Sequence, residues 1–502
     1  MKKIFILSLV AILLSQGCKK GLEPELFGSL STSSFPITEK DFLAYSLEVY
    51  KPFQSKWGYG DPVGYQNDWF SPEYGDVMRF DYPSDICNVF IGYGGAFQQF
   101  SSASFTFLMN QGNTSNHFLK TRFITRITKI IDDIAKSSIS DASKKLYTAE
   151  ARMSRGWSMY NLLQDYGPVP VILDAAKIGT EAESDLTRPE RSVFVQAIID
   201  DLNYAVTNLP KNPSDYGRFN QALARTVLLR TYINEKDFVN AERVGREILT
   251  MGYTLVNDYA SLYNESTERN TETMWAVVCL PDQDGGENHG SFNPWAFYTY
   301  PKDYPGNKIT SSFAPGDAPF SATWSFYDSF DARDRRRALL IASYRNKAGG
   351  TTDRSSGLAG PVIAKYPDLG STTLNSAQGN DIPRARLGEV MLLLAEAINQ
   401  NSGPTAEAIA LVNQVRLAHG GATLGNVPPS AAANKTAFDS WLLKEQGWET
   451  YFEGVRRSDL VRHGAWQSAL AAVGKSAGPS LFPVPTSAIT QSNGKLTQTP
   501  GY

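Results

Sequence analysis

Arg386-Leu387-Gly388-Glu389-Val390-Met391-Leu392-Leu393-Leu394-Ala395-Glu396-Ala397-Ile398-Asn399 is the stretch on which the reading of the fold turns. Leu387, Val390, Leu394 and Ile398 recur at the period of one helix face. Ile409, Val412 and Val415 form a neighbouring stripe. Phe438, Trp441, Trp448, Phe452 and Val455 are expected on a third helix.

Upstream the same period returns in pairs. Phe123, Ile127, Ile130 and Ile134 make one stripe; Leu146, Ala149, Met153, Trp157 and Tyr160 make the next. The second helix is expected to stop at Tyr166-Gly167-Pro168, because Gly closes a helix and Pro cannot continue it. A third starts near Pro189, carries Phe194, Ile198, Leu202 and Ala205, and stops at Leu209-Pro210. A fourth runs from about Asn220 with Leu223, Val227 and Leu228. A fifth holds Phe238, Ala241, Val244 and Ile248 and ends by Gly252. Amphipathic helices with short connections pack as antiparallel pairs, as in tetratricopeptide-type repeats. The 34-residue signature of those repeats is absent. The reading is a mostly α, tetratricopeptide-like helical-pair scaffold.

Two regions break the pattern. Residues 254–383 lose the helical period and are rich in Gly, Pro, Asp, Asn and aromatics, after a short strand-like run from Trp275 to Leu280. Residues 54–117 have the same texture. A structureless loop of this length is foreign to a compact domain, so an irregular, loop-rich subdomain is expected.

The N-terminus reads as an export signal. Lys2 and Lys3 precede an apolar run from Ile4 to Leu14, then Ser15-Gln16-Gly17-Cys18. The run is too short to span a bilayer, which takes roughly 20 residues. Gly17 directly before Cys18 resembles a bacterial lipobox, which implies cleavage before Cys18 and acylation of that residue. Two or three acyl chains hold a protein on a membrane durably; one does not. An ordinary cleaved signal with an incidental Cys is the alternative. Lys19 to Ser34 has no apolar period and reads as a tether. The expected organisation is a signal over 1–17, a tether over 18–34 and one domain over 35–502, in parts 35–253, 254–383 and 384–502.

The formal net charge is −3, which gives no electrostatic footprint for nucleic acid. Cys87 and Cys279 lie far apart and can either pair after export or remain buried thiols. The four histidines, His117, His289, His419 and His463, show no metal-ligand spacing, and there is no nucleophile elbow or phosphate loop. No catalytic residue, metal or cofactor is expected. Asp282-Gln283-Asp284-Gly285-Gly286-Glu287 has oxygens suited to Ca²⁺ but reads more simply as a polar turn.

The C-terminal motifs carry a resemblance. Arg386 to Asn399 resembles the R-x-x-E-v-L-L-x-x-A-E-A-x-N helix of the SusD/RagB family. Val412-Asn413-Gln414-Val415-Arg416 is similar to that family's lN-x-v-R helix. Glu445, Glu449, Phe452, Glu453, Gly454, Arg456, Asp459, Leu460 and Arg462 match its acidic and F-E-G-x-R-x-x-D-L-x-R positions. Leu481-Phe482-Pro483-Val484-Pro485 and Leu496 to Tyr502 resemble its terminus, and Ala149-Glu150-Ala151-Arg152 to Pro170 its upstream helix. Gln446 departs from the usual Arg, and Thr499 from the usual Asn. Glu449 and Glu453, four apart, need opposite charges; Arg456 and Arg462 are expected to supply them in an ion network.

The resemblance implies a surface lipoprotein of the outer membrane of Bacteroidetes that binds a nutrient, not an enzyme. It implies a SusC-like TonB-dependent transporter as partner and an oligosaccharide as ligand, with a RagB-like peptide ligand or a non-glycan adaptor role as the alternative. The family places its ligand face on loops of the two irregular regions but has no fixed binding motif. Flat aromatic rings suit the C–H faces of sugars, so Trp57, Trp69, Tyr74, Trp295, Tyr298 and Tyr300 are the expected platforms. Asn67, Asp68, Arg79 and Asn293 are the expected partners of hydroxyl groups. Trp324 and Tyr327, in a helix-like stretch, are expected in the core, as are Trp157, Trp441 and Trp448.

Overall fold

The long helices begin where a short polar side chain takes over the first free N–H groups. Ser140 accepts from Ser143 N, Asn220 from Leu223 N, Asp237 from Asn240 N and Thr405 from Ala408 N. In the computed structural model, which describes residues 35–56, 68–89, 95–110, 117–280, 291–305, 320–367, 378–476 and 478–502, the helices named below are α1 (Glu39–Ser46), α2 (Gly95–Ser101), α3 (Lys120–Lys136), α4 (Asp141–Tyr166), α5 (Arg191–Asn208), α6 (Gln221–Asn234), α7 (Phe238–Leu249), α8 (Trp295–Thr299), α9 (Trp324–Ser329), α10 (Leu387–Ser402), α11 (Ala406–Val415), α12 (Lys435–Thr450) and α13 (Arg456–Arg462).

Helices α3 to α7 stack in chain order, each against the next. Helix α7 then packs on α10, which also contacts α11 and α12. The approach of α7 to α10 requires Gly245: a Cβ there would lie 3.0 Å from the Leu394 side chain. Every residue of α10 from Leu387 to Asn399 is buried. The expected stop after Tyr166 is present, with Gly167 at φ 73° before Pro168.

The strands are short: β1 (Cys87–Val89), β2 (Thr273–Val277), β3 (Phe320–Ala322), β4 (Leu340–Ile341), β5 (Ser343–Arg345), β6 (Thr351–Asp353), β7 (Val362–Ile363) and β8 (Ile382–Arg386). One antiparallel sheet has the order β1-β3-β7-β4; β2 pairs with β8, and β5 with β6. The run expected to be strand through Leu280 leaves the ladder after Val277, and Cys279 N donates instead to Asp381 Oδ1 at 2.8 Å. One apolar core includes residues from Phe42 to Leu496; a small second core gathers Ala296, Tyr300, Tyr344, Leu358 and Val362. Cys87 and Cys279 are buried free thiols.

The third C-terminal helix is shorter than expected. It ends at Thr450, and Phe452 and Val455 lie beyond it. Phe452 sits at φ 61° and Gly454 at φ 75°; a Cβ on Gly454 would meet Asp76 at 2.7 Å. The carboxylate of the buried Asp81 accepts from the N–H groups of Gly454, Val455 and Arg456 at 2.8–3.2 Å and so starts α13.

The expected ion network exists with other partners. Glu449 receives Arg336 at 2.9 Å and also Arg386; Glu453 receives Arg386 at 2.8 Å and Lys365 at 2.6 Å. Arg456 turns to Asp85, and Arg462 to Glu396 and Asp459. The reason is position. Glu453 lies past the end of α12, so it and Glu449 point into a junction with β8 and the Arg336 turn instead of along one helix face.

Candidate ligand-binding face

Three remote pieces of chain meet. Phe292 N donates to Ser55 O at 2.9 Å and Ser55 N to Ser291 Oγ at 3.1 Å. Asn293 and Gln378 exchange both backbone hydrogen bonds, at 2.8 and 3.0 Å. These pieces border residues 57–67, 281–290 and 368–377, which lie outside the described residues. A second meeting pairs Val89 with Phe320 across β1 and β3, bordering 90–94 and 306–319. Rings join the two: Phe320 lies 4.9 Å from Tyr298 and 6.3 Å from Trp295 on α8, which Pro294 separates from Asn293. The roots of five connecting segments therefore gather around α8. Loops carried on a rigid base are where binding residues concentrate.

Most of the expected platform residues are the base of this face. Trp69 is fully buried, stacked on His117 at 4.7 Å, with Nε1 donating to Ser158 Oγ at 3.2 Å. Lys120 Nζ and the Arg79 guanidinium stand 4.6 and 5.0 Å from its ring. Trp295 is fully buried with its ring 4.8 Å from Phe452, and Tyr298 is buried and donates to Glu73 Oε1 at 3.1 Å. A ring packed in this way has no face left for a sugar, so the platform role expected of Trp69, Trp295 and Tyr298 becomes a supporting one. The polar candidates are corrected likewise. Arg79 pairs with Asp165, Asn293 Nδ2 donates to Asn380 O at 3.0 Å, and Asp68 is buried with its carbonyl accepting from Ser71 N. Tyr300 is buried too, 5.1 Å from Tyr304. Trp57 and Asn67 lie outside the described residues.

Tyr74 is half-buried and remains at the surface of the base. It takes a left-handed φ of 64°, and its carbonyl accepts from His117 Nε2 at 2.7 Å. Burial and the neighbouring Lys120 hold His117 well below the ordinary histidine value, so its neutral ring can donate to Tyr74 and accept from Lys120. Sequence reading did not single out Phe297 and Tyr304, which are half-buried against the small second core, whereas Tyr74 packs on the main one. Their signal was readable for Phe297: Trp295, Tyr298 and Thr299 share one helix face, which leaves Phe297 on the other. Trp324 and Tyr327, expected in the core, are half-buried and covered by guanidinium groups, Arg354 at 4.9 Å and Arg337 at 4.1 Å.

Next in the chain to Asn380 an acidic pair forms. Asp381 accepts from Cys279 N and from Tyr216 OH, and its own N–H donates to Glu268 Oε2 at 2.6 Å. Burial raises both carboxyls, Glu268 to about 7.

Glu272, His419 and Glu449 bring three ligand-type atoms close together in the core. His419 Nδ1 bonds Glu449 at 2.8 Å and Nε2 bonds Glu272 at 2.9 Å, so both nitrogens donate. Burial opposes the charge, but Glu449 and Glu272 overcome it and lift His419 to about 9. Arg386 also donates to Glu449. The group is an imidazolium held between two carboxylates, which occupies the lone pairs a metal would need. The Asp282–Glu287 turn and His289 lie outside the described residues.

The model of the SusD family matches residues 250–502, and that of a family described as starch-binding associating with outer membrane matches residues 100–233. The chain belongs to the SusD family. It is 23% identical over 397 residues to SusD-like protein P2 of Formosa agariphila, covering 72% of this chain and 76% of that one. Among solved structures it resembles a laminarin-binding SusD-like protein, with a TM-score of 0.73, 22% identity, and coverage of 93% and 100% of the two chains. It also resembles surface glycan-binding protein A from Bacteroides thetaiotaomicron in complex with laminarihexaose, with a TM-score of 0.73, 17% identity, and coverage of 92% and 100%. No helix among the described residues is long and apolar enough to cross a membrane.

Proposed function

We propose that this chain is a lipoprotein of the outer-membrane surface, anchored through Cys18, that captures an oligosaccharide on the face around α8. It passes the ligand to a SusC-like TonB-dependent transporter. The observation that carries the reading is the gathering of five segment roots on one base with half-buried aromatics at its surface, Tyr74, Phe297 and Tyr304. Laminarin and laminarihexaose in the names of the structural relatives support a glucan as ligand. Trp57 is kept as a platform on the sequence reading. One aromatic stack that removes about 100 Å² of apolar surface from water contributes roughly 2 kcal/mol. Two or three stacks, less the cost of association, give on the order of micromolar to millimolar affinity, weak enough for onward transfer.

Calorimetry of the lipid-free protein with laminarin and starch tests this. Trp57→Ala and Tyr304→Ala are each expected to weaken binding by about tenfold or more, the loss of one stack, with little change in melting temperature. Unchanged affinity in both variants would remove the aromatic face from the account. Binding of peptides and of no glycan would replace the glycan reading with the peptide one.

A further inference from the structure

We propose that a cleft of about 260 Å³ at the ends of α4, α5 and α6 binds an oxyanion group: sulfate, phosphate or the carboxylate of an acidic sugar. The proposal does not depend on the glycan reading, and none of the cleft's lining residues belongs to the face around α8. At roughly 30 Å³ per water the space holds a hydrated inorganic anion or one sugar unit.

The chemistry of the walls is one-sided. Arg191, Lys236, Arg457 and Arg462 line the cleft, with Gln164 and Ser480 among the neutral groups, and no carboxylate lines it. The larger clefts elsewhere are mixed. The one beside Phe35 includes Glu48 and Asp133, and the one beside Phe118 includes Glu183 and Asp185. Two of the four cations are matched from behind the wall: Arg191 by Glu235 at 2.8 Å, and Arg462 by Glu396 at 2.6 Å and Asp459 at 2.8 Å.

The other two leave positive charge over. Arg457 reaches Asp165 at 2.7 Å, but that carboxylate is shared with Arg79. Arg79 is itself fully buried, and its Nε and Nη2 have no hydrogen-bond partner. Burial, with Arg79 close by, pulls Arg457 below the ordinary arginine value, which a nearby anion would reverse. Lys236 is exposed and forms no ion pair among the described residues. Gln164 Oε1 accepts from Ser458 Oγ at 3.3 Å and Asn234 Nδ2 at 3.4 Å, which leaves its Nε2 as a donor. A point-charge ammonium beside a guanidinium and neutral donors is a setting that favours oxyanions.

Lys236 also makes the test clean. It sits just past α6 at φ 60°, a left-handed position at which Asn or Gly is at home. Lys236→Asn should therefore fold at least as well as the native chain. Sodium sulfate, titrated against sodium chloride at matched ionic strength, is expected to bind in the millimolar range and to raise the melting temperature. Lys236→Asn is expected to weaken sulfate by about tenfold, the loss of one charge-assisted contact, while Lys236→Arg keeps it. Laminarin binding should be equal in all three proteins. Sodium glucuronate, compared with glucose, separates the sources of the anion. Binding that falls in parallel with sulfate assigns an acidic sugar; no binding assigns a free inorganic anion. Sulfate stabilises proteins generally by exclusion from their surfaces. An equal rise in melting temperature in the native chain and Lys236→Asn, with no heat of binding in either, would overturn the proposal. Selenate located by anomalous diffraction away from Lys236 and Arg457 would do the same.

Discussion

Helices α10 and α8 are both buried, yet different forces hold them. Around α10 the neighbours are long-range charge pairs: Arg386 with Glu449 and Glu453, Arg230 with Glu389 at 2.6 Å, and Arg462 with Glu396 at 2.6 Å. Around α8 they are rings and hydrogen bonds from uncharged donors, with Trp295 against Phe452, Tyr298 against Phe320 and on Glu73, and Asn293 on Asn380. A buried charge tolerates almost no change in its partner, because an unmatched ion in the interior is expensive. Ring packing tolerates many combinations of similar volume. The first kind of order therefore leaves a strict motif in the chain, and the second leaves only an aromatic-rich composition.

The largest test of this contrast is Arg386→Met. It leaves Glu449 and Glu453 short of a counter-charge, and the loss should reach about 3–5 kcal/mol or prevent folding. Chemical denaturation reads it directly. A loss below 1 kcal/mol would mean that the network is not what holds α10.

Trp295→Ala comes next. It opens a cavity in the base of the candidate face and should cost about 3–4 kcal/mol, with laminarin affinity of the folded protein little changed. The opposite result, lost affinity at an unchanged melting temperature, would return Trp295 to the ligand.

Acidity offers a smaller handle. His419 titrates at about 9 when folded against about 6.5 in an unfolded chain. Its stabilisation is complete below pH 6.5 and disappears as the pH passes 9; the full span is on the order of 3 kcal/mol at 1.36 kcal/mol per unit. His463, raised to about 9 by Glu396 and Asp439 against the effect of burial, acts in the same direction. Lys365 and Lys475, which burial lowers to about 8, act the other way between pH 8 and 10.5. The useful measurement is thus a difference: the stability advantage of the native chain over His419→Gln should shrink from pH 6.5 to pH 9. A constant difference would show that the ring is neutral.

The smallest effect on the folded protein is expected from the proposed lipid anchor. Cys18→Ala should leave melting temperature and laminarin binding as they are while membrane retention is lost, as fractionation would show. Retention without Cys18 would sink the lipid anchor.

The stacked helices were legible because each signal was local. The stops at Gly167 and Leu209 and the start at Asn220 fall where the residues place them. The base of the candidate face was legible only as a region. Trp69, Trp295 and Tyr298 look the same in sequence as an exposed platform, because a Trp among glycines has no period to show which way it points. Their inward orientation depends on His117, Phe452 and Phe320, each remote in the chain.

The sequence by itself determined the helical scaffold, the family and the need for counter-charges near Glu449 and Glu453. Periodicity, capping and spacing are properties of neighbouring residues. Only the tertiary structure decided which charges pair and which rings face inward. Arg386 and Lys365 take Glu453 because β8 and β7 bring them there, at 2.8 and 2.6 Å, while the nearer Arg456 turns to Asp85. Pairing energy depends on distance in space, and burial on what the remainder of the chain lays over a side chain. Neither is a function of separation along the sequence.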